Sequence, residues 1–192
     1  LGAFGENAAL PMNLRAPAVA GSFYPGSAVE LRREVESLLV RGPKSKALAV
    51  VVPHAGYAYS GRVAGAVYGS VEIPRDVVLL CFNHRGQGAE IAVWPRGAWR
   101  TPLGDAPVDE ALARRVKEAC EGAEFDEAGH RGEHSGEVQV PFLQVARPDL
   151  RLVPVALSLG SDDRSASRLE AFGASLARVD GVIINDAEAR QL

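Results

Sequence analysis

Cysteine is close to absent: Cys81 and Cys120 are the only two in 192 residues. Two thiols cannot build a disulfide framework, so a packed core has to hold the fold. Cys120 shares an apolar helical face with Leu112 and Val116 and reads as a small buried hydrophobe. No apolar stretch approaches the roughly 20 residues of a membrane-spanning helix, so no membrane partner is expected. No lysine and arginine run marks a nucleic-acid surface, and the net charge is −3. Nucleic acid is therefore not an expected partner. A charged start, apolar centre and small-residue cleavage site are also missing, which makes the cytoplasm the expected location. There is no GxxxxGK[ST] phosphate loop, no GxSxG elbow and no CxxC pair, which removes the chemistries those motifs serve.

What is present is 47% apolar and 23% charged residues, the balance of a soluble globular protein of one-domain length. Residues 1–12, ending at the only methionine, lack a sustained period and read as an irregular extension. Residues 13–192 read as a single α/β domain. Four apolar runs have strand length: "ALAVVV" (47–52), "DVVLLCF" (76–82), "LRLVPVAL" (150–157) and "GVIIN" (181–185). Between them lie amphipathic helices. One starts after Ser27 and carries Leu31, Val35, Leu38 and Leu39. A short small-residue one spans 63–70, another runs from Asp109 to Glu121, and a last one carries Leu169, Phe172 and Leu176. "AEIAVW" and "AWRTPLG", separated by "PRG", predict a hairpin. Continuous apolar strands alternating with helices predict a mostly parallel sheet covered by helices on both faces.

Such sheets bind ligands beyond the carboxyl ends of their strands. His54 and His84 each sit two residues past the end of an apolar run, so they are expected to meet at one edge of the sheet. A pair of imidazoles from adjacent parallel strands suits a transition metal but needs a further ligand. Glu133, Glu137 and Asp186 are the carboxylate candidates, and two histidines with one carboxylate would make the non-haem iron facial triad. Histidines in such loops also serve as plain hydrogen-bonding residues, and that reading stands beside the metal one. His130 reads as a solvated loop histidine. Tyr57 and Tyr59, in "PHAGYAYSG", either roof a core edge or orient a bound oxygen ligand.

Five stretches in order then resemble one family: "RAPAVAGSFYP" (15–25), "PHAGYAYSG" (53–61), "FNHRGQG" around His84, "RTPLGD" (100–105) and "EHSGEVQVPFL" (133–143), with "LVPVAL" after them. This is the Memo family, whose prokaryotic members are also called AmmeMemoRadiSam system protein B. The resemblance implies an α/β core similar to that of class III extradiol dioxygenases. It implies a metal, Fe2+ first and copper as the alternative, on residues matching His54 and His84. It implies that Tyr59, Glu133 and His134 line the same pocket. On that footing His134 is the expected proton donor or acceptor, Glu133 orients its ring, and Tyr59 bonds a metal-bound ligand. Tyr57, Glu137 and Asp186 complete the pocket.

The implied partner is a small molecule, or an acidic or phosphorylated peptide captured by Arg62, Arg85 and Arg100. The system label adds a radical SAM protein as a further partner. Family chains are longer, so this chain is expected to lack their C-terminal third, and with it a cysteine ligand. Where the family reads roughly SSDxSH, the chain reads "INDAEARQL": Asp186 matches the aspartate and Ala189 stands in place of the histidine. The metal site is therefore expected to be incomplete.

Overall fold

The computed structural model describes residues 13–158, 163–176 and 182–187, so the expected extension at 1–12 lies outside the described residues. In chain order the elements are β1 (Leu14–Arg15), α1 (Ala28–Leu38), β2 (Ala49–Pro53), α2 (Tyr57–Ser70), β3 (Asp76–Phe82), β4 (Ile91–Val93) and β5 (Ala98–Thr101). There follow β6 (Gly104–Pro107), α3 (Glu110–Ala119), β7 (Ala123–Phe125), α4 (Val140–Ala146), β8 (Arg151–Leu157), α5 (Asp163–Leu176) and β9 (Val182–Ala187). Short 3-10 turns occupy Ala128–His130 and Glu137–Gln139.

The main sheet has six strands in the order β2-β9-β3-β8-β4-β7. β2, β9, β3 and β8 run parallel, as their continuous apolar sequences require, while β4 pairs antiparallel with β8. Alternation along β3 divides the interior. Val77 and Leu79 pack with α1, α2 and α4, and Val78 and Leu80 with α3 and α5. Leu31 and Val35 of α1 are fully buried on the first side. Each such burial stabilises the fold by roughly 1.5–3 kcal/mol. α3 starts where Asp109 accepts the Leu112 N–H at 2.9 Å, and it buries Leu112, Val116 and Cys120 on the second side. Burial pushes the Cys120 thiol up to about 11, so it behaves as a hydrophobe. Among the described residues no helix is long and apolar enough to cross a membrane.

The expected hairpin does not form. β4 joins the main sheet, whereas β5 joins a separate three-stranded sheet in the order β1-β5-β6. The reason lies at Gly97, whose φ of +83° suits glycine and whose backbone meets that of Asn13 so closely that a Cβ there would lie 2.0 Å from the Asn13 carbonyl oxygen. The chain turns away at this point, and the Ala98 N–H donates to that same carbonyl at 3.0 Å. β5 pairs instead with β6, antiparallel, and with the distant residues 14 and 15, parallel.

α2 begins at Tyr57, six residues before the helix expected from sequence. Its small residues serve close approach to the segment after α1. A Cβ on Gly65 would stand 2.2 Å from the Leu38 carbonyl oxygen. Gly65→Ala is therefore expected to destabilise the protein by about 1–3 kcal/mol through overpacking. Thermal unfolding checks this, and an unchanged midpoint would show that the helix can slide to make room.

Candidate metal centre

The early start of α2 decides what the two tyrosines do. Two residues apart on a strand would share a face, but on a helix they point to opposite sides. Tyr57 is 5% exposed and Tyr59 is 88% exposed. The Tyr57 hydroxyl donates to the Val138 carbonyl at 2.8 Å, so it braces a loop. Tyr59 faces solvent from the first turn of the helix.

His54 follows β2 directly and His84 follows β3 by two residues, both at the carboxyl edge of the sheet. The expectation of adjacent strands is corrected: β9 stands between β2 and β3. Neighbouring strands are about 4.8 Å apart, so two imidazoles from strands two steps apart meet above the one between. Their ring centroids are 5.1 Å apart. A third ring joins them. His134 lies 5.5 Å from His54 and 4.7 Å from His84, centroid to centroid, stacked on the latter. One ring nitrogen from each of the three falls within 4.8 Å of the others.

The stretch 133–139 holds the three together. Gln139 donates its amide to the Pro53 carbonyl at 3.1 Å, just before His54. Ser135 donates its hydroxyl to the Phe82 carbonyl at 2.8 Å, two residues before His84. Glu133 accepts the backbone N–H groups of His84, His134 and Ser135 at 2.8, 2.8 and 2.9 Å. The same carboxylate meets His84 Nδ1 at 2.9 Å and His134 Nδ1 at 3.2 Å. Burial opposes ionisation of Glu133, but the Ser135 N–H and the bonds from His84 outweigh it and hold the acid near pKa 2. An ionised acceptor keeps the proton on Nδ1, which leaves Nε2 as the unprotonated nitrogen of His84. Burial also lowers the His134 pKa, against the pull of the Glu133 carboxylate and with the help of the neighbouring imidazoles of His84 and His54. Phe23 closes one side edge-on to His134 at 5.0 Å, and Phe82 flanks His54 and His84 at 6.4 and 6.1 Å.

The model of the Memo-like protein family matches residues 15–186, a span that includes all three of these histidines. The chain belongs to the Memo-like family. A MEMO1 family protein of Thermococcus onnurineus is 42% identical over 160 residues, 78% of this chain and 55% of the relative. One from Aquifex aeolicus is 40% identical over 176 residues, 90% of this chain and 66% of the relative. One from Methanothermobacter thermautotrophicus is 37% identical over 166 residues, 80% of this chain and 60% of the relative. The chain thus spans between about half and two thirds of the length of the curated relatives it matches.

In this Memo-like chain the expected site residues separate into two groups. His54, His84, His134 and Glu133 come together. Glu137 does not join them: its carboxylate accepts Arg15 Nη1 at 2.7 Å, the N–H groups of Ala18 and Val19 at 2.7 and 2.9 Å, and the Tyr24 hydroxyl at 2.7 Å. Those donors use up its lone pairs, so it is a structural anchor. Asp186 lies on β9 in register with Val52, and its side chain is outside those described. Of the arginines, Arg100 is tied to Asp105 by two bonds at 2.7 and 2.9 Å, and Arg62 is exposed on α2. Arg85, beside His84, donates Nε to the Gly132 carbonyl at 3.1 Å.

His130, expected in solvent, is 0% exposed. It packs edge-on to Trp94 and Trp99 and meets the Ala92 carbonyl through Nε2 at 2.9 Å, because the 3-10 turn at 128–130 folds it under β4. Sequence reasoning assigned no role to Arg15, Phe23, Ser135 or Gln139. Their only signal was membership in the quoted motifs.

The donor set suits a transition ion. Imidazole nitrogen is a ligand for iron, copper and zinc. Metal–nitrogen bonds of about 2.0–2.1 Å set the spacing that three such nitrogens take up around one ion. Glu133 behind two of the rings is the usual outer carboxylate of a histidine metal site.

Proposed function

We propose that the chain is a non-haem metal protein, with Fe2+ first and copper second, that carries out a redox or dioxygenase-like reaction on a small molecule. The observation that carries this reading is the convergence of His54, His84 and His134 with one ionised carboxylate behind two of them. Fe2+ ranks first because the motif resemblance implies a non-haem iron site. When bound, the ion supplies a Lewis-acidic, redox-capable centre. The chain's own residues do the rest. Glu133 keeps Nδ1 of His84 and His134 protonated and thereby holds their rings in place. Phe23 and Phe82 keep water away from two sides. His134 acts as a third ligand, in place of the proton-transfer role expected from sequence. With three histidines a site forms without the cysteine of the longer family chains.

The test is elemental analysis of tag-free protein purified without oxygen. Iron or copper near one per chain supports the reading; protein that holds neither ion and takes up neither on titration ends it.

A second reading is capture of an acidic or phosphorylated peptide without chemistry. It is favoured by the exposed Arg85 next to His84, since a guanidinium suits phosphate. Calorimetry with a phosphotyrosine peptide on metal-free protein separates the two. Tight binding there supports capture, and binding only after metal loading supports the metal reading.

A further inference from the structure

His134 has the least secure footing of the three histidines. His54 and His84 hang from the ends of strands, but residues 131–136 form no helix or strand. The loop contains Gly132 at φ +70° and Gly136, both of which add freedom. Something outside the loop has to fix it.

One buried side chain grips this loop at three places. Arg15, on β1, is 4% exposed. Its Nε donates to the His130 carbonyl at 3.0 Å, before the loop. Its Nη2 donates to the Glu133 carbonyl, one peptide bond from His134. Its Nη1 donates to the Glu137 carboxylate at 2.7 Å, after the loop. The guanidinium itself lies over Trp99, with Cζ 4.2 Å from the ring centroid. β1 is in turn fixed by its pairing with β5 in the small sheet.

We propose that Arg15 is the positioning residue of the metal centre: it holds His134 in the triad by gripping the backbone before it and the Glu137 side chain after it. This rests on the metal-site reading above. The clamp needs a planar fork. Lysine keeps the charge, but its single ammonium cannot reach acceptors at 130, 133 and 137 from one side and lie over an indole from the other. Arg15→Lys therefore preserves the ion pair with Glu137 and frees the loop. Arg15→Met would also leave Glu137 as a buried unpaired charge and test folding instead.

The experiment titrates Co2+ into metal-free wild type, R15K, H134A and the R15K/H134A double variant, followed by visible absorption. Copper-loaded samples of each are examined by electron paramagnetic resonance to count imidazole nitrogens. R15K is expected to bind about 10–100-fold more weakly, the range for changes behind a ligand shell, and to lose one imidazole from the copper spectrum. In the H134A background R15K is expected to have no further effect, because Arg15 works through His134. R15K with wild-type affinity and spectrum overturns the proposal. So does an equal loss with and without His134, which marks a general weakening of the fold. Wild type that binds neither ion sinks the metal reading and this proposal with it, a result visible before any variant is compared. If R15K loses native circular dichroism, Glu137→Gln carries the same comparison. It turns the oxygen shared by Arg15 Nη1 and the Ala18 N–H into an amide nitrogen, which opens the clamp at that point, and its one remaining oxygen still accepts from Val19 and Tyr24.

Discussion

On the proposed metal reading, alanine in place of His134 is expected to abolish metal retention. The prediction follows from the position of the ring, 4.7 Å from His84 and 5.5 Å from His54 by centroid, with a nitrogen inside the shared cluster. A histidine that only moves protons could sit as close as this, so the variant separates the two roles. If His134 is a ligand, H134A leaves two imidazoles, and two donors hold a divalent ion poorly. The loss should then exceed the roughly 10–100-fold typical of groups behind the ligands. Alanine at His54 or His84 is expected to behave alike. If His134 were only an acid or base, H134A would retain its ion and fail in turnover alone. Metal content after gel filtration decides this: a H134A protein that carries the wild-type complement of ion removes His134 from the coordination sphere.

Acid will unfold the protein through His130, which is not one of the three clustered histidines. Burial lowers its pKa to about 4 from an ordinary 6.5. The charged Arg15 also lowers it, while the Ala92 carbonyl and the carboxylates of Asp126 and Glu133 raise it. For a histidine whose folded pKa lies below its unfolded one, the unfolded chain binds more protons between the two values. Stability is therefore full above pH 6.5 and falls as the pH drops towards 4. A shift of this size corresponds to about 3 kcal/mol, a large share of the stability of a single domain. Glu133 contributes in the same direction but lower, where the pH falls from ordinary carboxylate values towards 2. Urea denaturation at several pH values, followed by circular dichroism, measures the slope. In His130→Gln the slope between pH 6.5 and 4 should flatten, although the protein is weaker at pH 7. An unchanged slope in that variant would assign the acid sensitivity elsewhere.

The parts of this molecule that could be read in advance are those set by local pattern. The apolar runs at 49–53, 76–82 and 151–157 became strands because β-branched and leucine side chains leave them little else to do. The two strand-end histidines followed from the rule that parallel strands deliver their loops to one edge. What escaped was non-local. Nothing at 91–101 signals that its two strands belong to different sheets, since the deciding contact is made by Asn13. Glu137 looked like Glu133 in sequence, two carboxylates in one polar loop. Only Arg15 and Tyr24, more than a hundred residues earlier, make one an anchor and leave the other to the histidines. His130 looked solvated because its neighbours in sequence are polar, while its neighbours in space are indoles.

The sequence has two tryptophans, and both are in that cluster. Trp94 and Trp99 stand 6.1 Å apart, each edge-on to His130, with Arg15 lying over Trp99. All the indole fluorescence of this protein therefore comes from one spot, which adjoins the loop carrying His134. A shift in the colour or brightness of that fluorescence reads out the local dielectric and the imidazole's charge with no label attached.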